Sequence, residues 1–344
     1  MNITTIGIDL AKNVFAVHGM DAQGHTVLKK LLRRDQLTNF FANVPACRVG
    51  MEACGGAHHW ARQLQALGHD VRLIAPQFVK PFVKSNKNDA ADAQAICEAV
   101  ARPSMRFVPV KTLEQQSILA LHRARQGFVE ARTAQANQIR GLLAEFGLIL
   151  PQGIAHVRER VPNLVDEHRD ELPGPFVELI SALLEHFRML DVQARALEKN
   201  IERWAKEQDD CRRLQTVPGL GPITASALVA SIGNASAFTS GRQLAAWLGL
   251  VPRQHSSGGK NMLLGMSKRG DSYLRTLLIH GARAVIHAIQ RRPPAHGWIQ
   301  SLLGRRHANV AAVALANKNA RIVWALLTHR RSYMPGFEPV PMQG

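Results

Sequence analysis

The chain opens with the sequence Ile-Gly-Ile-Asp-Leu-Ala-Lys at residues 6–12, and this stretch decides the fold of the first hundred residues. It reads as an apolar β-strand that ends at Asp9. The stretch Val-Gly-Met-Glu-Ala-Cys at residues 49–54 has the same form, with Glu52 at the end of another strand. Because a strand that stops at a carboxylate places that group at the edge of a sheet, we expect the two acids to converge there.

A pair of acids on a helix completes the pattern. Asp89 and Asp92 lie three positions apart in the sequence Lys-Asn-Asp-Ala-Ala-Asp at residues 87–92, in the first turn of a predicted helix. No Cys or His accompanies the four acids at ligand spacing, so the expected cofactor is a hard divalent ion, Mg²⁺ or Mn²⁺. Two such ions about 4 Å apart activate an attacking oxygen and stabilise a leaving one in phosphodiester chemistry.

Each acid also fits an ordinary structural role. Asp9 fits a turn after a buried strand, and Glu52 fits a solvated strand end. Asp89 and Asp92 fit the first turn of a helix, where capping and the helix dipole favour negative charge. The order of the acids along the chain favours a shared site, and the arrangement resembles the RNase H-like nuclease fold.

The first 110 residues are predicted to form an α/β domain of this kind. Three strands in hairpin order precede alternating helices and strands, which together predict a mixed five-stranded sheet with helices on its faces. Asp9 and Glu52 then lie on adjacent strands. The predicted strands are 3–10, 13–20, 25–32, 47–52 and 70–75, and the predicted helices are 35–43 and 57–67.

Positive charge is concentrated in the last third of the chain. The net charge is +17, and residues 211–337 contain 17 Lys or Arg but a single acid, Asp271. Residues 1–210 are nearly neutral, with 26 basic and 24 acidic side chains. This distribution favours binding to a polyphosphate backbone, with a merely solvated basic face as the alternative. Aromatic residues make up only 6% of the chain, so backbone and shape contacts are expected to dominate over base stacking.

Composition indicates a globular protein of two or three domains. No uninterrupted apolar run reaches the roughly 20 residues that span a bilayer, and the N-terminus has no signal-peptide pattern. We therefore expect a cytoplasmic protein without a membrane partner. The cysteines fall in no metal or disulfide spacing, and reduced thiols are expected at Cys47, Cys54, Cys97 and Cys211.

A helical spacer is predicted over residues 111–210. A helix at about 112–147 is followed by the proline-containing stretch 150–175 and then by an apolar seam about four heptads long. The two helices pair within one chain as an antiparallel hairpin, or the seam joins two subunits; we favour the second arrangement. The seam residues are Phe176, Ile180, Leu183, Phe187, Leu190, Ala194, Leu197, Ile201 and Trp204.

The basic domain at 211–334 is predicted to be mainly helical, followed by a disordered tail at 335–344. Its sequence Pro-Gly-Leu-Gly-Pro at 218–222 resembles the turn of helix-hairpin-helix DNA-binding modules. In such a turn, Gly219 and Gly221 let backbone N–H groups approach a phosphate. An ordinary tight helix connection is the alternative.

A loop rich in serine and glycine lies further along the basic domain. The sequence Gly-Leu-Val-Pro-Arg-Gln-His-Ser-Ser-Gly-Gly-Lys at 249–260 leads through Ser-Lys-Arg-Gly at 267–270 into an apolar helix. Such a loop brings a hydroxyl to a phosphate while nearby cations offset the developing charge. A mobile loop that binds phosphate without reacting is the alternative. The cations are Lys260, Lys268, Arg269 and Arg275.

Taken together, the four acids and the block 249–270 resemble the DEDD transposases of the IS110 insertion-sequence family. The resemblance runs from about residue 3 to about residue 330. It implies a RuvC-like tetrad that binds divalent metal, formed by Asp9, Glu52, Asp89 and Asp92. It also implies that Ser257 becomes covalently joined to DNA, with Ser256 as the neighbouring alternative.

The same resemblance implies the partners. Recombinases of this family resemble RNA-guided enzymes in which a noncoding bridge RNA pairs with donor and target DNA. We therefore expect donor and target DNA, a bridge RNA and further copies of the chain, as a dimer or tetramer, to bind this protein.

The combined prediction is a DNA transposase or recombinase that cuts and rejoins strands through a 5′-phosphoserine intermediate, with metal at the tetrad assisting Ser257. The acids and the serine lie about 170 residues apart, so the site is composite, within one subunit or between two. Two rival functions stay open. One is a hydrolytic, RuvC-like junction endonuclease that uses water as nucleophile, and the other is a nucleic-acid-binding protein without chemistry.

Overall fold

The computed structural model describes residues 2–84, 88–256, 258, 260, 262–291 and 297–334. The chain divides into two compact units, Met1–Thr112 and Leu113–Gly344. The predicted spacer and the predicted basic domain therefore lie together in the second unit.

The first unit contains a six-stranded mixed sheet in the order β3-β2-β1-β4-β5-β6. The pairs β1–β2, β2–β3 and β5–β6 are antiparallel, and the pairs β1–β4 and β4–β5 are parallel. The strands are β1 (Thr5–Asp9), β2 (Val14–Met20), β3 (Thr26–Arg33), β4 (Arg48–Glu52), β5 (Asp70–Ile74) and β6 (Phe107–Val108).

The five predicted strands are present, and β1 and β4 are neighbours as expected. The prediction of a five-stranded sheet is wrong by one strand, because β6 pairs with the edge of β5 through Val108 and Phe107. A strand of two residues has no alternating pattern to read in the sequence. It forms because the passing chain meets the unpaired backbone groups of an edge strand.

Helices cover both faces of this sheet. On one face, α1 and α2 enclose a core with the even-numbered residues of β1, Ile6 and Ile8, which are fully buried. On the other face lies α4, packed against β1, β2 and β4. The helices are α1 (Leu37–Ala42), α2 (Ala57–Ala66), α3 (Pro76–Val79) and α4 (Asp89–Val100), with 3₁₀ turns at Arg34–Gln36 and Lys80–Phe82.

The second unit is mainly helical, as predicted for the C-terminal part of the chain. Its strands β7 (Pro252–Gln254) and β8 (Leu263–Met266) form a separate antiparallel hairpin. The helices are α5 (Leu113–Ala144), α6 (Ile154–Glu167), α7 (Gly174–Glu207), α8 (Asp209–Gln215), α9 (Pro222–Ile232), α10 (Gly241–Trp247), α11 (Ser272–Arg291), α12 (Trp298–Leu303) and α13 (Ala308–His329).

The apolar seam of α7 is buried inside the chain, which corrects the favoured assignment of this seam to a contact between subunits. Ile180, Phe187 and Ile201 are at most 1% exposed. Helices α5 and α7 run antiparallel, since Arg125 contacts Glu198 and Arg132 contacts Asp191 further back along α7. The sequence alternative of an intrachain hairpin is the one that the structure adopts.

Helix α6 occupies most of the proline-containing stretch 150–175, where no helix was predicted. Pro162 lies inside it, despite the lost hydrogen-bond donor. The helix persists because Val157, Val161 and Val165, spaced by four, are buried in a core with α5 and α7. Here tertiary burial outweighs the local preference of proline.

Among the described residues, one helix, α13, is long and apolar enough to cross a membrane by length and composition alone. One side of α13 is buried in the core that it shares with α9, α10 and α11, through residues such as Ala316, Ala320 and Val323. The four cysteines are free thiols, as expected, and Cys54 is exposed.

Candidate functional site

The structure brings Asp9 and Glu52 to neighbouring strand ends. In the parallel register of β1 and β4, Ile8 faces Met51, so the next residues along the two strands are Asp9 and Glu52. Adjacent strands lie about 4.8 Å apart. The two acids therefore sit side by side at the carboxyl edge of the sheet, where the sequence predicted them.

Both acids project from the same face of the sheet. A Cβ on Gly7 would overlap backbone atoms of α4, and a Cβ on Gly50 would lie 2.8 Å from Cβ of Val100, also on α4. Because strand side chains alternate, Asp9 and Glu52 point to the face that Gly7 and Gly50 present to α4. The two glycines allow this helix to cross the sheet at backbone distance.

The first turn of α4, which carries Asp89 and Asp92, is directed towards the same edge. Ala93 lies against Gly7, and one turn later the Cys97 thiol donates to the carbonyl oxygen of Thr5 at 3.5 Å. Helix α4 thus runs antiparallel to β1, and its N-terminal turn lies towards the Asp9 end of the strand. The capping role is filled by Asn88, whose side chain accepts a hydrogen bond from the backbone N–H of Ala91 at 2.8 Å.

The pKa of the Cys54 thiol reflects the negative charge at this edge. Partial desolvation raises the pKa of the Cys54 thiol, and the carboxylates of Glu52 and Asp9 raise it further. The thiol stays protonated at neutral pH and makes a poor metal ligand or nucleophile. The pair of carboxylates is the chemically useful part of this edge.

Among the described residues, no group of three or more His, Cys, Asp or Glu side chains is gathered closely enough to hold a metal ion. The tetrad is therefore not assembled as a cage made of protein ligands alone. Mg²⁺ is usually bound by one or two carboxylates together with substrate phosphates, so the hard oxygen donors of Asp9 and Glu52 fit such an ion.

A cation at this edge was missed by sequence reasoning. Arg34 follows β3, and its guanidinium lies over the rings of Phe15 and Trp60, 5.6 and 5.4 Å from their centroids. Its Nη1 donates to the carbonyl oxygen of Lys12 at 3.1 Å. The guanidinium is thus held beside the turn that follows Asp9. Only the pairing of β2 with β3 brings Arg34 there, because it is 25 residues away in sequence.

In the second unit, the strands β7 and β8 on either side of the Ser/Gly loop pair with each other, and this hairpin was not predicted from the sequence. The backbone N–H of His255 donates to the carbonyl oxygen of Met262 at 2.9 Å and closes the loop. Ser256 is exposed and accepts a hydrogen bond from Nε2 of Gln254 at 3.0 Å. The predicted nucleophile Ser257 lies outside the described residues, as does the predicted disordered tail at 335–344.

The two ends of the loop block, around Gly249 and around Gly270, pack against each other at backbone distance. Gly249 has φ of +72°, and a Cβ there would lie 2.7 Å from the backbone N of Gly270. The N–H of Lys268 donates to the carbonyl oxygen of Gly249 at 3.2 Å. Lys268 itself has φ of +55°, a left-handed conformation that is uncommon outside glycine. Lys260, Lys268 and Arg269 are cations around the base of the hairpin and its loop.

Arg275 differs from the other three predicted cations. It is half-buried, and its Nη1 donates to the carbonyl oxygens of Leu248 at 3.3 Å and Gly270 at 3.1 Å. This guanidinium caps the end of α10 and holds the Lys-Arg-Gly turn. The structure therefore gives Arg275 a positioning role within the fold. The nearby acid Asp271 accepts hydrogen bonds from the N–H groups of Tyr273 and Leu274.

The predicted Pro-Gly-x-Gly turn does connect two helices, α8 and α9. Gly219 has φ of +88°, and a Cβ there would lie 2.8 Å from the carbonyl oxygen of Gly281 on α11. This glycine is required by packing against α11. Gly221 precedes α9 in an open position, where no heavy atom of the described residues other than its chain neighbours lies within 4 Å of an added Cβ.

Comparisons with known proteins place both parts of the chain within transposase family models. A family model of DEDD transposases matches residues 6–147, and its description is transposase. This group is RuvC-like, and the match indicates dependence on a divalent metal. A family model described as transposase IS116/IS110/IS902 family matches residues 211–296. The two matched ranges cover the four acids and the hairpin with its Ser/Gly loop.

Relatives match over nearly the whole chain. It is 54% identical over 338 residues to a probable family 20 transposase of Pseudomonas aeruginosa, covering 98% of this chain and 100% of that protein. It is 46% identical to the transposase for insertion sequence element IS1328 of Yersinia enterocolitica, over 95% and 97% of the two chains. It is 45% identical to the transposase for insertion sequence element IS1111A of Coxiella burnetii, over 97% and 92%. The chain belongs to the IS110/IS116/IS902 family of insertion-sequence transposases, which are enzymes that process DNA.

Proposed function

We propose that this transposase cuts and rejoins DNA through a 5′-phosphoserine intermediate, formed by Ser257 with the help of the acidic edge of the first unit. The observation that carries the proposal is the pairing of Asp9 with Glu52 on adjacent strand ends, on the face covered by α4. A pair of carboxylates that can hold a divalent ion is an arrangement suited to a phosphodiester.

The acidic residues have a binding role in this proposal. Asp9 and Glu52 would hold a divalent ion, and Asp89 and Asp92 would add negative charge from α4. The chemistry that such an ion would supply is activation of an oxygen nucleophile and neutralisation of charge on the phosphate. Arg34 faces the phosphate backbone beside Lys12.

The serine has the nucleophilic role. The Ser257 oxygen forms a bond to phosphorus, the bond from phosphorus to the 3′ oxygen breaks, and the serine proton is passed on so that the leaving strand ends in a 3′ hydroxyl. A 3′ hydroxyl of another strand then attacks the phosphoserine and restores the serine. Lys260, Lys268 and Arg269 offset the negative charge that builds up on the phosphate.

Donor and target DNA are the substrates, and a bridge RNA supplies the choice of sequence. Basic residues around the hairpin and Gly221 at the start of α9 contact nucleic-acid backbones. Assembly from several copies of the chain is part of this proposal. The alternative is hydrolysis at the acidic edge with water as nucleophile, which does not need Ser257.

A trapping assay tests the proposal. The full chain is incubated with transcribed element-end RNA, Mg²⁺ and labelled donor and target DNA, then denatured and examined for a protein–DNA adduct. We expect an adduct with the wild type and with Ser256→Ala, and none with Ser257→Ala or Asp9→Asn.

The matched control for Asp9→Asn is Asp21→Asn. Asp21 is an acid of the same unit whose Oδ1 accepts backbone hydrogen bonds in a turn, and an asparagine keeps that acceptor. This control retains adduct formation. Nicked DNA that survives Ser257→Ala but disappears in Asp9→Asn would establish the hydrolytic alternative and refute the serine mechanism.

A further inference from the structure

An open groove of about 820 Å³ lies in the second unit between the β7–β8 hairpin and helices α12 and α13. Its volume is within the range of about 300–1,000 Å³ that is typical of ligand sites. Apolar side chains form much of its wall, and two of them are unusually open to solvent. Val310 is 53% exposed and Leu264 is 43% exposed.

An aromatic ring and two cations distinguish this groove from an ordinary apolar surface. Trp298 lines it and is 44% exposed. The Nζ of Lys318 lies over the face of the Trp298 ring, 4.8 Å from its centroid, and Arg321 lines the groove one turn further along α13. None of the described residues that line the groove is acidic.

The positive charge of the groove favours an anionic ligand. Two cations without an acid among the described lining residues favour an anion, and the region 211–337 as a whole has 17 basic residues against one acid. A half-exposed indole ring favours a flat, aromatic group. A nucleobase with its attached phosphate combines both properties, because the base stacks on an aromatic ring while the phosphate meets Lys or Arg.

We infer that this groove binds one unstacked nucleobase of a single-stranded segment, with the base against Trp298 after Lys318 turns from the ring to a phosphate, and with the phosphates near Lys318 and Arg321. The inference rests on the proposed function, since it assigns part of the nucleic-acid substrate to a new site. The low aromatic content of the chain agrees with a single base position and disfavours an extended stacking platform. Strand β8 contributes to the groove and follows the Ser/Gly loop, so a base held there restrains the strand near that loop.

Binding measurements in metal-free buffer test this site. Fluorescence anisotropy is measured for the full chain with a labelled single-stranded DNA, with RNA of the same sequence and with the matching DNA duplex. Trp298→Ala is expected to weaken single-strand binding at least about fivefold, and duplex binding less than about twofold. Trp298→Phe keeps a ring and retains most of the affinity.

Two variants with the same loss of charge distinguish direct contact in the groove from a general effect of positive charge. Lys318→Ala and Lys199→Ala each remove one positive charge from the second unit, and Lys199 is an exposed residue of α7 that does not line the groove. We expect Lys318→Ala to weaken single-strand binding more than Lys199→Ala does. Should Trp298→Ala lower the melting temperature strongly, Val310→Glu replaces it as the groove variant, because it places a negative charge on an exposed wall.

The nucleic acid whose binding affinity falls most in the Trp298→Ala variant is the one that supplies the base. A loss confined to RNA assigns the groove to a guide RNA, and a loss confined to DNA assigns it to the substrate strand. Equal losses on all three ligands, or no loss, overturn the inference. A change in oligomeric mass of Trp298→Ala by light scattering, without a change in binding, also overturns it and assigns the groove to a second copy of the chain. Because no metal is present and no adduct is scored, failure of the serine mechanism does not affect this result.

Discussion

Gly7 of β1 and Ala93 of α4 approach so closely that a Cβ on Gly7 would overlap the carbonyl oxygen of Ala93. The same Cβ would lie 2.8 Å from Cβ of Cys97. This contact sets the height of α4 above the sheet. It therefore also sets the distance between the acids on the first turn of α4 and the acids at the strand ends.

Gly7→Ala is expected to destabilise the protein by about 3 kcal/mol and to abolish adduct formation, because a backbone carbonyl cannot move aside as a flexible side chain does. Urea denaturation measures the first effect and the trapping assay the second. Gly55→Ala is the control for stability, since no heavy atom of the described residues lies within 4 Å of its added Cβ. Equal stability of the two variants would contradict the packing argument.

Substitutions at Gly221 and Gly281 distinguish a role in nucleic-acid contact from a role in packing. Gly221→Ala adds a methyl group in open space, so we expect a loss of stability below about 1 kcal/mol together with weaker DNA binding. Gly281→Ala would overlap the carbonyl oxygen of Gly219 and is expected to cost about 3 kcal/mol. Anisotropy and urea denaturation are measured on both. Unchanged DNA binding by Gly221→Ala would reject the helix-hairpin-helix prediction at that residue.

Asp191 is the centre of a buried ion-pair network between α5, α6 and α7. Its carboxylate lies 2.7 Å from Arg132, 2.8 Å from Arg158 and 3.3 Å from Arg195. Burial by itself raises the pKa of Asp191, but the hydrogen bond from Arg132 and the arginine charges outweigh it and hold the pKa below its ordinary value. Removing the charge leaves the partly buried Arg132 and Arg158 without their counter-ion.

Asp191→Asn is therefore expected to cost about 3 kcal/mol at pH 7. A carboxyl whose pKa is lowered by folding stabilises the protein above its unfolded pKa, about 4, and loses that contribution as the pH falls through the folded pKa. The difference between wild type and variant should then shrink below about pH 4 in urea denaturation. Asp166→Asn, which removes the exposed pair with Arg169, should cost less than about 1 kcal/mol.

His122 links three helices of the second unit through hydrogen bonds. Its Nδ1 lies 2.9 Å from the Tyr273 hydroxyl and its Nε2 lies 3.1 Å from Oγ of Ser226. The Ser226 hydroxyl donates to the carbonyl oxygen of Pro222 at 2.7 Å. Ser226 then accepts from Nε2–H, which leaves Nδ1 to accept from the tyrosine. The neutral ring therefore satisfies both hydrogen bonds.

Burial, with a smaller contribution from the charge of Arg125, lowers the pKa of His122 to about 4. The unfolded state binds the proton more tightly, so stability is complete above about pH 6.5 and is lost as the pH falls from there towards 4, by up to about 3 kcal/mol. Denaturation midpoints between pH 4 and 7 measure this slope. His122→Phe should remove it, while His168→Phe, at a half-buried site on a different network, should leave it in place.

Local pattern was sufficient for the elements that depend on short-range periodicity. The alternating strands, the helix that begins at Asp89 and the long helix at about 112–147 were predicted, because residues within four positions of one another decide these elements. The placement of Asp9 and Glu52 at adjacent strand ends also followed from the order of strands. The four acids and the loop block together were the basis of the resemblance to the transposase family.

Tertiary contacts decided the rest. A heptad seam indicates that another helix packs against it, but does not indicate whether that helix belongs to the same chain. Here α5 of the same chain covers the seam of α7. Valine burial keeps α6 helical through Pro162, and the position of Arg34 depends on strand pairing across 25 residues. The sequence by itself determined the chemistry available to this protein and most of its secondary structure. The tertiary structure decided which of those groups meet, because contacts such as that of Trp298 with Lys318 depend on how separate elements pack.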